Sequence, residues 1–182
     1  MGVSATIGVV FCAAVVALSW AALFSEDWVH TSSDSQNRAG VIVIQPSGMS
    51  KTTWDNDGAY PFPDQNFEWA LGLWSVGSLA SVVAFLFGLL TCCLGLCCIC
   101  CLSIPFAIVN ACLLFLTTGC FLAALLLVSA TFGEIKFSGD QVCPGSGAWD
   151  MTGCDFGWGL IVAIVATASS LISGCLFMPC LC

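Results

Sequence analysis

The chain carries fourteen cysteines against one histidine and three basic side chains, so any chemistry it holds is sulfur chemistry before it is acid–base chemistry. Six of the cysteines crowd one short segment, Cys92, Cys93, Cys97, Cys98, Cys100 and Cys101, and Cys180 and Cys182 lie at the C-terminal end. Three readings compete for this group. Pairs such as Cys92-Cys93 and Cys97-Cys98 resemble metal ligands, yet no histidine or polar scaffold surrounds them. Small apolar filler is the plain alternative. S-acylation fits best, because juxtamembrane cytosolic cysteines accept palmitate and the acyl chains bury beside the helix ends. The start, Met1-Gly2-Val3-Ser4-Ala5-Thr6, matches the N-myristoylation pattern, with Gly2 as acceptor, although an early glycine before a helix is common. No cofactor other than such covalent lipid is expected.

Cys143 and Cys154 stand apart from the rest, separated by ten residues that include Pro144, Gly145, Gly147 and Gly153. A lone pair closing a glycine-rich loop reads as a disulfide worth ~3 kcal/mol, and so as an oxidising compartment. Two free thiols are the alternative. Asp55-Asn56-Asp57-Gly58 with Asp64 resembles part of a calcium loop. The match is incomplete: with Gly58 as the sixth position, Thr53 falls first and Asp64 last, where Asp and Glu are expected. Asp55, Asp57 and Asp64 therefore read as a solvated turn before they read as a cation site. His30 has Ser25, Ser32 and Ser33 near it in sequence, which is no sign of a triad.

The elements that must carry these residues follow from composition. With 59% hydrophobic and 8% charged residues over 182 positions, the chain lacks the polar surface of a soluble domain, and its solvent is expected to be lipid. A helix needs roughly 20 apolar residues to cross a bilayer, and the apolar stretches allow four spans, 3–24, 69–93, 105–132 and 156–178. The expected fold is an all-α four-transmembrane-helix bundle with a small β-hairpin or sheet built from its loops, 25–68 and 133–155. The Cys-rich turn is expected over 94–104 and the tail over 179–182. Pro105 is placed in the first turn of the third span, where its missing N–H costs nothing. Ser19-Trp20-Ala21 is a passable signal-peptidase site, but without a basic n-region and with so long an apolar run the first stretch reads as a retained span.

Orientation comes from cysteine chemistry. Arg38, Lys51 and Lys136 all lie in the two sizeable loops, so a positive-inside count alone would place these in the cytosol. The same loops carry all eleven carboxylates and the expected disulfide, which favour an extracytosolic face, with termini and Cys-rich turn cytosolic. Trp20, Trp28, Trp69, Trp74 and Trp158 fall near the loop-side ends of the spans, as interfacial tryptophans do. The expected location is a cell membrane, with the plasma membrane favoured.

In the first loop, Val41-Ile42-Val43-Ile44 is a β-branched run, Pro46-Ser47-Gly48 a turn signal, and Lys51-Thr52-Thr53-Trp54 a return strand. Two strands alone are marginal, so Glu134-Ile135-Lys136-Phe137-Ser138 is expected to join them. Val41, Ile42, Val43, Ile44, Trp54 and Trp149 then make up the expected contact surface, since an exposed strand edge accepts another chain. Gly77, Ser81 and Gly88, and Gly159, Ala163, Ala166, Ser170 and Gly174, mark close helix packing within one bundle or between copies. Asn110 is the most polar residue of the spans and reads as a helix-to-helix hydrogen bond.

In layout the chain resembles the claudin-like superfamily, which includes claudins, peripheral myelin protein relatives and calcium-channel gamma subunits. Asp27-Trp28-Val29 resembles that family's tryptophan after the first helix, and Gly72-Leu73-Trp74 its Gly-Leu-Trp signature. Here the Gly-Leu-Trp lies at the mouth of the second helix, and the first loop has no cysteine pair. The resemblance implies a structural or adhesive protein that assembles laterally, as a homo-oligomer or within a larger membrane assembly, and meets partners through acidic loops. The second reading is an accessory subunit or pore component of a cation channel, whose net charge of -8 concentrates cations. An enzyme is not expected, because the spans hold no intramembrane charge. Nor is a nucleic-acid partner.

Overall fold

The computed structural model describes residues 2–31, 34–45, 52–53, 65–96, 100–131, 136–137, 140–141 and 154–178. Four helices dominate: α1 (Gly2–Leu23), α2 (Gln65–Leu96), α3 (Cys100–Thr131) and α4 (Trp158–Phe177). Glu68 lies in the first turn of α2, where the helix dipole favours a carboxylate. It is the only charged side chain in the four helices, which are otherwise apolar on every face. The segments Ala5–Leu23, Gln65–Gly95, Ser103–Thr131 and Trp158–Phe177 are each long and apolar enough to cross a membrane.

The connection between α2 and α3 is shorter than the sequence suggested. Helix α2 runs to Leu96 and α3 starts at Cys100, so Pro105 sits inside α3 instead of at its first turn. Its missing N–H falls in the second turn and leaves the Cys101 carbonyl without its usual intrahelical donor.

The chain divides into two compact units, one of residues 1–19, 75–122 and 165–182, the other of residues 20–74 and 123–164. In the first, all four helices contribute to one core, with Cys12, Ala84, Ala111, Leu114 and Phe177 buried together. Close approach depends on glycine: a Cβ on Gly8 would stand 2.7 Å from the Phe177 ring, and one on Gly77 2.7 Å from Phe121. Thr118 and Ser170 share a hydroxyl hydrogen bond of 2.8 Å. Gly77, Ser81, Gly88, Ala166, Ser170 and Gly174 are all buried within this unit, and Gly159 and Ala163 within the other, so these small residues are spent on packing inside the chain.

The second unit holds an antiparallel sheet in the order β4-β3-β2-β1-β7, from β1 (Val29–Thr31), β2 (Asp34–Ala39), β3 (Val43–Gln45), β4 (Thr52–Thr53) and β7 (Cys154–Phe156). The expected hairpin is present as β3 and β4, paired Val43 to Thr53 and Ile44 to Thr52. The expected third strand is not its neighbour. Lys136–Phe137 (β5) pairs with Asp140–Gln141 (β6) in a separate two-stranded sheet, while β7 joins the main one. Chain geometry accounts for this: β1 leaves the end of α1 and β7 runs directly into α4. Val29, Ala39 and Ile44 lie side by side in register and are buried, whereas Arg38, His30 and Asp155 form the adjacent row. The polar strand β2, Asp-Ser-Gln-Asn-Arg-Ala, has no apolar alternation and was not legible as a strand.

Candidate functional site

Among the described residues, the segment Ser25–Trp28, between α1 and β1, is densely hydrogen-bonded. Helix α1 closes with Phe24 N–H donating to Trp20 O at 3.1 Å and Ser25 N–H to Ala22 O at 3.2 Å. Ser25 Oγ then accepts the Asp27 N–H at 3.1 Å, a local turn that competes with further helix. This swings Trp28 back over the helix end, where its Nε1 donates to Ala22 O at 2.7 Å. That carbonyl, one of the last four of α1, thus accepts from both the Ser25 N–H and Trp28 Nε1. The Trp28 ring meets Trp74 of α2 edge-on, at 5.4 Å and 81°.

Three glycines admit the backbone here. A Cβ on Gly40 would overlap the Ser25 carbonyl, and one on Gly157 would overlap the Asp27 carbonyl; on Gly159 it would lie 2.8 Å from Trp28 Cδ1. Through these openings Gly157 N–H donates to Trp28 O at 2.9 Å, Gly159 N–H to Asp27 O at 2.8 Å, and Trp28 N–H to Ala39 O at 3.1 Å. The start of α4, the end of α1 and strand β2 are thus tied to one tetrapeptide.

Asp27 Oδ1 lies 3.0 Å from His30 Nδ1. The pair resembles half of a general-base dyad, but Ser25 Oγ does not bond to His30. Among the described residues, no nucleophile completes it. The arrangement positions a loop.

Of the expected site residues, Cys154 is disulfide-bonded; Cys143 lies outside the described residues. Cys92 and Cys93 are free thiols in the last turns of α2. Cys93 is exposed, and Cys92 is partly covered, with its Sγ 3.9 Å from Thr6 Oγ1. Cys100 and Cys101 fall in the first turn of α3 and Gly2 begins α1. Cys97, Cys98, Cys180, Cys182, Trp54, Trp149, Asp55, Asp57 and Asp64 lie outside the described residues. Among those described, no group of three His, Cys, Asp or Glu side chains could hold a metal ion.

Two expectations change. Val41 and Ile44 are 1% and 0% exposed, so they belong to the core and not to a contact surface; Ile42 and Val43 are half-buried. Asn110 is buried, and neither atom of its carboxamide has a hydrogen-bond partner. It lies next to the Cys12 thiol, a weak hydrogen-bonding group, and Ser173 Oγ donates to Gly8 O at 3.0 Å and meets Cys12 Sγ at 3.1 Å. The neighbouring polar groups are therefore already engaged. Asn110→Leu, of similar volume, removes two unsatisfied atoms and is expected to raise stability by about 1–3 kcal/mol, read from unfolding in detergent.

The tryptophans also divide into two kinds, which sequence position alone did not separate. Trp28 and Trp74 are core residues at 1% and 0% exposure, whereas Trp20, Trp69 and Trp158 are exposed. The exposure of the latter three fits an interfacial role; Trp28 and Trp74 are structural.

Fold and site together define a chain with four candidate membrane-crossing helices, compatible with an integral membrane protein, and a small sheet tied to the helix ends through Trp28. The sequence matches no family model, and no curated protein is significantly similar to it.

Proposed function

We propose that the chain is a non-enzymatic structural membrane protein of claudin-like layout, which assembles laterally and meets partners through its acidic, loop-bearing unit. One observation carries this reading. All eleven carboxylates, the three basic residues, the single histidine and all seven tryptophans fall within residues 20–74 and 123–164, and none within 1–19, 75–122 and 165–182. Such a division suits a chain with one face in a polar contact zone and the rest in lipid. In this proposal the loops are extracytosolic and the termini and Cys-rich turn cytosolic, with palmitate on exposed cysteines such as Cys93.

The test is crosslinking in native membranes followed by intact mass spectrometry. Crosslinks between copies or to a second membrane protein through loop residues are expected, with hydroxylamine-sensitive added mass on the Cys-rich segment. A protein that crosslinks to nothing overturns lateral assembly. The Cys143–Cys154 pairing has its own check: Cys143→Ser and Cys154→Ser are each expected to cost about 2–5 kcal/mol, to the same extent. Unequal losses in thermal unfolding break that pairing.

A further inference from the structure

Among the described residues, strand β7 has a neighbour on one side only, as the last strand of the order β4-β3-β2-β1-β7. Its register on β1 sets Asp155 opposite His30 and Phe156 opposite Val29. Gly157 N–H donates to Trp28 O at 2.9 Å, so alternation along the strand turns the Asp155 backbone toward β1 and the Phe156 N–H and C=O away from it. Both faces of the sheet are incomplete at this edge. On the inner face Ile44, Ala39 and Val29 stand side by side at 0%, 1% and 0% exposure, and the next residue of the row, Phe156, is 60% exposed. On the outer face the row runs Gln45, Arg38, His30, Asp155 and ends on an exposed carboxylate.

We infer that the β7 edge takes up an extended segment of a protein partner, paired antiparallel, with a basic residue opposite Asp155 and an apolar residue opposite Phe156. The inference rests on the reading that the chain meets partners through this unit, and names the strand and the chemistry. An edge strand is a template for another chain: main-chain hydrogen bonds supply the binding, and alternate side chains supply selectivity. The apolar residue continues the buried row over the Phe156 ring. The basic residue extends the outer row with a charge opposite to that of Asp155, and the net charge of -8 favours a basic partner. A second copy does not fit through this same strand, because antiparallel self-pairing centred on Asp155 sets two carboxylates against each other.

The test uses the full isotope-labelled chain in detergent micelles and the probe peptide acetyl-Thr-Val-Lys-Val-Thr-amide at millimolar concentration. Amide exchange at Phe156 is expected to slow by about threefold or more. N-methylation of the first valine, which removes the donor to Phe156 O, is expected to abolish that protection; N-methylation of the lysine, whose N–H faces away from β7, leaves it. Replacing the peptide lysine by glutamate is expected to weaken binding about threefold, and Asp155→Lys to invert the preference. An unchanged Phe156 amide, equal losses from the two N-methylations, or a lysine preference that survives in Asp155→Lys overturns the inference. A chain that crosslinks to partners in membranes while ignoring the peptide overturns this inference alone. One that binds the peptide and crosslinks to nothing overturns lateral assembly alone.

Discussion

Trp28→Ala is expected to destabilise the solubilised protein by about 3–5 kcal/mol, among the largest effects of any single substitution in the described residues. Three contributions are lost at once. The side chain is 1% exposed, so truncation opens a ring-sized cavity. The edge-on contact with Trp74 disappears, and the Ala22 carbonyl loses the 2.7 Å hydrogen bond from Nε1. Trp28→Phe separates these effects, because it keeps an aromatic ring and removes only the donor and part of the volume; about 1–3 kcal/mol is expected. Chemical unfolding in detergent measures both. A double-mutant cycle with Trp74→Ala should return a coupling of about 0.5–1.5 kcal/mol. Equal losses for Ala and Phe would show that the hydrogen bond dominates; a coupling near zero would mean that the two rings do not support each other.

Gly157→Ala is expected to act on the same knot from the other side. A Cβ there overlaps the Asp27 carbonyl, which is backbone and cannot swing aside as a flexible side chain can. Relief requires β7 to move off β1, which breaks the Gly157–Trp28 hydrogen bond and exposes the sheet edge. The expected loss is about 2–4 kcal/mol, with faster amide exchange across Val29–Thr31. Gly40→Ala should act similarly against Ser25 O, with faster exchange in β2 and β3. Gly72→Ala is the control. A Cβ at Gly72 meets nothing within 4 Å, so it should be neutral or slightly stabilising through helix propensity. If Gly157→Ala is as mild as Gly72→Ala, the close approach is not a constraint on the fold.

The four helices could be read from the sequence because long apolar runs have few alternatives. The β3–β4 hairpin was legible for a similar reason, since β-branched residues flank a Pro-Ser-Gly turn. Strand β2 was not, because its polar residues owe their conformation to neighbours on both sides instead of to their own pattern. The partner of the main sheet was misassigned for the same reason: Lys136–Phe137 has the more strand-like local sequence, yet β7 is the segment that α4 delivers to the edge of β1.

What the sequence by itself determined is composition per segment: four spans' worth of apolar residues, charge confined to two connecting stretches, tryptophan confined to those stretches and the span ends beside them, and a cysteine-dense turn elsewhere. Tertiary structure decided which residues of the same type do different work. Trp28 and Trp74 are sealed in the core while Trp20, Trp69 and Trp158 stay exposed, and Val41 and Ile44 point inward instead of forming a contact surface. Asn110 is buried among apolar helices beside the Cys12 thiol, and neither atom of its carboxamide closes a hydrogen bond of good geometry. Burial and hydrogen-bond satisfaction depend on neighbours distant in sequence, and composition or spacing along one segment carries no information about them.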